Sequence, residues 1–148
     1  MIKIIENFKT PMPIYLEDCT VSFIDLQDKK LRFIFEDEDL SYENKQSAIK
    51  NLEVGFLLSE NFLDEDFLPP VRMLKFNKHY NRSVVRYWSV KDFLEFIHKK
   101  RYKLKIYATY YNENKALLIF ELAKNDVLQD RIECDIELNV ESIVYKWD

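Results

Sequence analysis

The chain has 148 residues, 47% of them hydrophobic and 15% aromatic, with a net charge of −4. That is the usual size of one domain, and enough apolar side chain for a core without metal or disulfide staples. Its only glycine, Gly55, excludes the glycine-rich loops that let a backbone approach phosphate, so the common nucleotide-driven chemistries have no place here.

The opening residues, Met1 to Glu6, lack the apolar run of a signal peptide, and no window approaches a membrane span. Cys19 and Cys134 are the only cysteines. Without Cys-x-x-Cys spacing they are expected to be reduced core thiols, and the chain is expected to be cytoplasmic. No repeat, low-complexity tract or linker interrupts residues 1–148, which predicts a single globular domain. Lysine outnumbers arginine 16 to 6, the bias of an AT-rich bacterial or phage coding sequence.

In chain order, Thr20 to Leu26 and Leu31 to Glu36 are rich in β-formers and flank Gln27-Asp28-Lys29-Lys30, which predicts a hairpin. From Ser41, the residues Ala48, Ile49, Leu52 and Phe56 recur at helical spacing and predict a helix ending near Gly55. A short second helix is predicted near Glu60 to Phe67, stopped by Pro69-Pro70. Val71–Phe76 and Val84–Trp88 are expected to be extended. Ser89 opens the clearest helix: its side chain is placed to accept from the Asp92 amide, and Val90, Phe93, Leu94 and Ile97 form an apolar stripe.

The last third is β-rich. Leu104, Ile106, Ala108 and Tyr110 alternate to one side, and Asn112-Glu113-Asn114 forms a turn in which asparagine takes the left-handed conformation. Lys115 to Leu122 is apolar on both faces, as a central strand is, while Ile132, Cys134, Ile136 and Leu138 alternate with charged residues. Val140 to Trp147 is expected to close the sheet. The predicted class is α+β: a mainly antiparallel sheet with two or three helices packed on one face.

Charge is segregated along the chain. Residues 1–66 hold 7 Lys/Arg against 15 Asp/Glu, residues 67–111 hold 11 against 2, and residues 112–148 hold 4 against 9. One reading is mutual balance within the fold. A second takes the acidic runs Glu36, Asp37, Glu38, Asp39 and Asp64, Glu65, Asp66, with Phe35, Leu40, Phe62 and Phe67 beside them, as a docking face for a partner protein with a basic surface. An immunity or inhibitor protein that occludes a toxin or nuclease works in that style. A third takes the basic, aromatic segment around Lys75, Lys78, Arg82, Arg86, Tyr87 and Trp88 as a groove for single-stranded nucleic acid.

Enzyme signals are weak. His79 and His98, the only histidines, have no metal-ligand spacing. No nucleophile elbow or cysteine-protease signature is present, and Glu113-Asn114-Lys115 falls in a turn rather than in a nuclease strand. No cofactor and no metal site is implied. An enzyme of unfamiliar class is the third alternative, after protein binding and nucleic-acid binding.

Overall fold

Period-two alternation of apolar residues dominates the chain, and the structure, a computed structural model, follows it almost throughout: most of the described residues lie in strands. All residues are described except 7, 9–11, 37, 43–44, 61, 63–68, 78–81 and 125–126. Of residues 38–42, 45–48, 77, 82 and 127–131 only the backbone is described.

The strands are β1 (Ile2–Ile5), β2 (Thr20–Gln27), β3 (Lys30–Phe35), β4 (Glu38–Tyr42), β5 (Lys45–Ile49), β6 (Glu53–Leu58), β7 (Val71–Asn77), β8 (Arg82–Trp88), β9 (Lys103–Asn112), β10 (Lys115–Lys124) and β11 (Val127–Lys146). One helix, α1 (Val90–Lys100), lies between β8 and β9. The order β10-β9-β2-β3-β6-β11 closes on itself because β10 also pairs with β11, giving a six-stranded antiparallel barrel. β4 and β5 form a separate ribbon.

The barrel wall is set by β11. Its first half pairs with β10, from Lys115↔Asn139 to Lys124↔Val127, while Ile132 to Ile136 also pair with β7. Its second half pairs with β6 and with β1. The register slips at Glu141, between Val140 and Ser142, and a bulge there lets a long strand bend around a small barrel.

Inward residues from all six strands fill the interior: Val21, Leu31, Phe33, Val54, Phe56, Leu104, Leu118, Phe120, Ile136, Ile143 and Tyr145 are buried. Phe33 and Phe56 meet edge to face, ring centroids 5.4 Å apart. Helix α1 packs its stripe against this lining, and Phe93 reaches Phe120 at 5.9 Å. Ser89 accepts from the Asp92 amide at 3.2 Å, as the capping pattern predicts, and Arg101 ends the helix in the left-handed conformation.

The α+β expectation is therefore corrected to a β-barrel with one short helix. The helix expected from Ser41 to near Gly55 is instead β4, β5 and β6. Leu52 and Phe56 are four apart, which suits a helix, but Leu52, Val54, Phe56 and Leu58 are also two apart, and all four are buried. Asn51, at φ 55°, turns the chain between β5 and β6. The helix expected near Glu60 to Phe67 falls mostly outside the described residues. In the turn after β9, Glu113 takes the left-handed conformation (φ 45°) rather than either asparagine. The alternation expected through Tyr110 also breaks. A bulge at Tyr107 shifts the β9 register, so Tyr110 is exposed and Thr109 and Tyr111 turn inward. No helix among the described residues is long and apolar enough to cross a membrane.

Candidate protein-binding edge

Beyond the barrel, β7 and β8 continue the sheet as a hairpin hung on β11. Val71 and Met73 alternate into the core and anchor β7 against Ile136 and Cys134. β8 has no such anchor. It pairs with β7 alone among the described residues, in unbroken register from Val71↔Trp88 to Asn77↔Arg82. Its outer edge therefore has no partner strand among the described residues.

Directly opposed residues share a face, so the register sorts the hairpin into two sides. The core side carries Val71, Met73 and Lys75 with Val84, Arg86 and Trp88. The outer side carries Arg72, Leu74 and Phe76 with Ser83, Val85 and Tyr87. Both are exposed along β8: Val84 is 58%, Val85 50% and Tyr87 61% accessible. On the outer side Leu74, Val85, Tyr87 and Ile119 floor a groove of about 410 Å³ whose polar wall is Arg72, Glu133 and Asp135.

Arg72 donates from Nε (2.9 Å) and Nη2 (2.6 Å) to one Asp135 oxygen. These bonds raise the guanidinium pKa further above its usual range. The Cys134 thiol beneath is pushed up to about 12 by burial and then by the Asp135 charge, so it is an inert core group. Neither Cys19 nor Cys134 is in a disulfide and both are buried, as expected.

The sequence-derived candidates divide as follows. In the acidic runs, Glu36 is described and is bound by Lys103. Glu38 and Asp39 have their backbone in β4, with side chains outside the described residues, and Asp37, Asp64, Glu65 and Asp66 lie outside them entirely. The expected aromatic anchors Phe35 and Phe62 are buried. Leu40 and Phe67 fall outside the described side chains.

In the basic set, Lys75 and Arg86 are exposed on the core side of the hairpin and Tyr87 on the other. Lys78 lies outside the described residues, as does the side chain of Arg82. The Trp88 ring already carries the Arg86 guanidinium at 5.2 Å and Phe96 at 5.1 Å. Among the described side chains the hairpin thus does not place Lys75 and Arg86 on one surface with a free ring. The segregated charges balance in part within the fold, since Lys103–Glu36 and Arg72–Asp135 both join the basic segment to acidic ones.

A second groove, about 390 Å³, lies between β2 and the end of α1, lined by Phe23, His98, Arg101 and Lys103 among others. Two of its polar groups, His98 and Lys103, are engaged internally. The His98 ring stacks on Phe23, with Nε2 2.7 Å from the Ile24 carbonyl, and Lys103 binds Glu36. Among the described residues the β8 edge, like that of β1 with its exposed Ile2 and Ile4, is an open sheet edge, and it alone of the two adjoins a groove. The sequence signal for it was the Val84-Val85 pair in a strand with no acidic residue. Reading it as an edge required knowing that no described strand follows β8 in the sheet. No protein-family model, curated protein or solved structure matches the chain.

Proposed function

We propose that the chain is a non-catalytic protein-binding domain of the cytoplasm whose binding element is the β7–β8 hairpin. One observation carries the reading: a regular edge strand, unpaired among the described residues, exposes Val84 on one face and Val85 and Tyr87 on the other. Such an edge is a template for another chain, and proteins ordinarily blunt it with charged side chains, proline, a bulge or a cover. β8 carries Arg82 and Arg86 but has no proline, and its pairing to β7 has no bulge. Occlusion of a partner's surface, as an immunity or inhibitor protein achieves it, needs only such a binding element. Two buried cysteines with no disulfide between them suit a reducing compartment. The hairpin is favoured over the acidic runs because Glu36 is ion-paired and Phe35 and Phe62 are buried.

The test is affinity capture from the protein's own cells with three forms of the chain: unaltered, Val85→Glu/Tyr87→Glu, and Glu38→Lys/Asp39→Lys. A stoichiometric protein partner lost only with the hairpin pair is the expected result. Loss with the acidic-run pair alone would move the site to that run. Nuclease-sensitive nucleic acid in place of a protein would overturn the reading.

A further inference from the structure

We infer that the partner docks an extended acidic segment as an added strand along β8, with carboxylates on the Arg86 face and apolar side chains on the Val85 and Tyr87 face. The inference rests on the reading of the hairpin as the binding element and names what it binds.

Strand addition requires an edge whose backbone groups point outward in register. In an antiparallel pair alternate residues turn N–H and C=O to the partner strand and the others turn them away. About half of the seven residues of β8 therefore present both groups to an incoming chain. The unbroken β7–β8 register keeps those groups in line.

Charge selects the occupant. Residues 71–88 hold five cations, Arg72, Lys75, Lys78, Arg82 and Arg86, and no carboxylate. Arg72 is neutralised by Asp135, but neither Lys75 nor Arg86 meets a carboxylate among the described residues. A second copy is a poor occupant. Two antiparallel β8 strands centred on Val85 would set the two Arg86 side chains diagonally on one face, with no acidic residue to part them. Nucleic acid is also disfavoured, because Tyr87 lies on the face opposite Arg86 and Lys75, and the Trp88 ring is already stacked on Phe96. An acidic strand meets each condition. A carboxylate opposite or diagonal to Arg86 is a favourable cross-strand pair, and an apolar residue on the other face lies over Val85 and Tyr87, toward the groove floored by Leu74 and Ile119. The recognised pattern is thus alternating apolar and acidic.

The probe is a fluorescein-labelled peptide, about ten residues long, alternating Val or Thr with Glu, titrated into the full chain at low salt. Comparison peptides replace Glu with Lys, or carry N-methyl groups on one or the other alternate set of amides; an oligothymidylate of similar length is the nucleic-acid arm. We expect saturable binding of the Glu peptide and about tenfold weaker binding of the Lys peptide. Methylation of one alternate set should weaken binding by about tenfold while the other set has little effect, which only edge pairing produces. Arg86→Glu should reverse the Glu-over-Lys preference.

Equal binding of Glu and Lys peptides, equal effects of the two methylated sets, tighter binding of the oligothymidylate, or no saturation to roughly 1 mM would each overturn the inference. If it falls while Val85→Glu/Tyr87→Glu still abolishes capture of a partner, protein binding by the hairpin stands and only the acidic strand is lost. If capture survives those substitutions, the hairpin reading fails first.

Discussion

Arg32 sits on β3 at the centre of the barrel wall and ties three consecutive strands together. It donates from Nε (2.8 Å) and Nη2 (2.6 Å) to the two oxygens of Asp25 on β2, and from Nη1 (2.8 Å) to Glu53 on β6. The bonds to Asp25, followed by that to Glu53, raise the guanidinium pKa, so it stays charged wherever the fold survives. Arg32→Met would leave two carboxylates beside each other with no cation. Exposed ion pairs contribute about 0–1 kcal/mol and a broken buried pair costs about 3–5 kcal/mol. The three side chains are 22%, 21% and 20% exposed, which places this clamp between those limits. We expect a loss of about 2–3 kcal/mol, a shift of roughly 1 M in the urea midpoint at an m value near 2 kcal/mol/M. Arg32→Lys keeps the charge but not the fork, and should recover only part of the loss. Replacing all three residues with apolar ones of similar volume should recover most of it, because no orphaned charge remains. Urea unfolding of the single, double and triple variants supplies the cycle. The reasoning is refuted if Arg32→Met costs under about 0.5 kcal/mol, or if Arg32→Lys matches the unaltered protein.

Three further outcomes follow from local geometry. Gly55→Ala should be neutral or stabilising by about 0.5–1 kcal/mol on thermal unfolding: Gly55 has an ordinary φ, and an added methyl meets only the flexible Lys30 stem. Ser89→Ala should cost about 1 kcal/mol through the orphaned Asp92 amide, while Ser89→Asp should hold stability, both read by urea midpoint. Stability should fall as pH rises from about 9. The Cys134 thiol ionises near 9.0 when unfolded but only near 12 when buried, so the unfolded chain holds fewer protons in that window. The slope from this group approaches 1.4 kcal/mol per pH unit, and burial of Tyr145 adds in the same direction at the alkaline end. Cys134→Ala should flatten the profile between those limits; an unchanged slope would assign the alkaline loss elsewhere.

Much of the local structure was legible because each element announced its period. The β2–β3 hairpin, the capped helix and the alternation through Ile132, Cys134, Ile136 and Leu138 all lie where patterning puts them. The Leu52 to Leu58 stretch misled because spacings of two and four coincide on the same residues, and only the pairing of β6 with β3 and β11 decides between them. Barrel closure was not legible. It depends on β9 pairing with β2 and β11 with β6, strands far apart in sequence, and local patterning carries no record of that. For the site, the extended character of 71–88 was legible but the division of its cations and rings between two faces was not. Lys75 and Tyr87 become opposites only once Lys75↔Val84 and Arg72↔Tyr87 fix the register. The partial cancellation of segregated charge likewise rests on long-range pairs such as Lys103–Glu36.

The place of β11 in the wall bears on how the chain matures on the ribosome. β1, β6, β7 and β10 all border β11, and β11 is synthesised after every one of them. Until its second half emerges, β6 has only β3 for a neighbour and β1 has none among the described residues. Inward groups such as Val54 and Phe56 then wait without a closed interior. The nascent chain therefore holds open sheet edges and apolar side chains until residues 127–146 have emerged. Closure should come as a late, concerted event, with long-range pairings such as Ile2↔Lys146 forming last. Pausing translation before residue 140 would prolong that state, and general chaperones that recognise apolar strands are the factors expected to attend it.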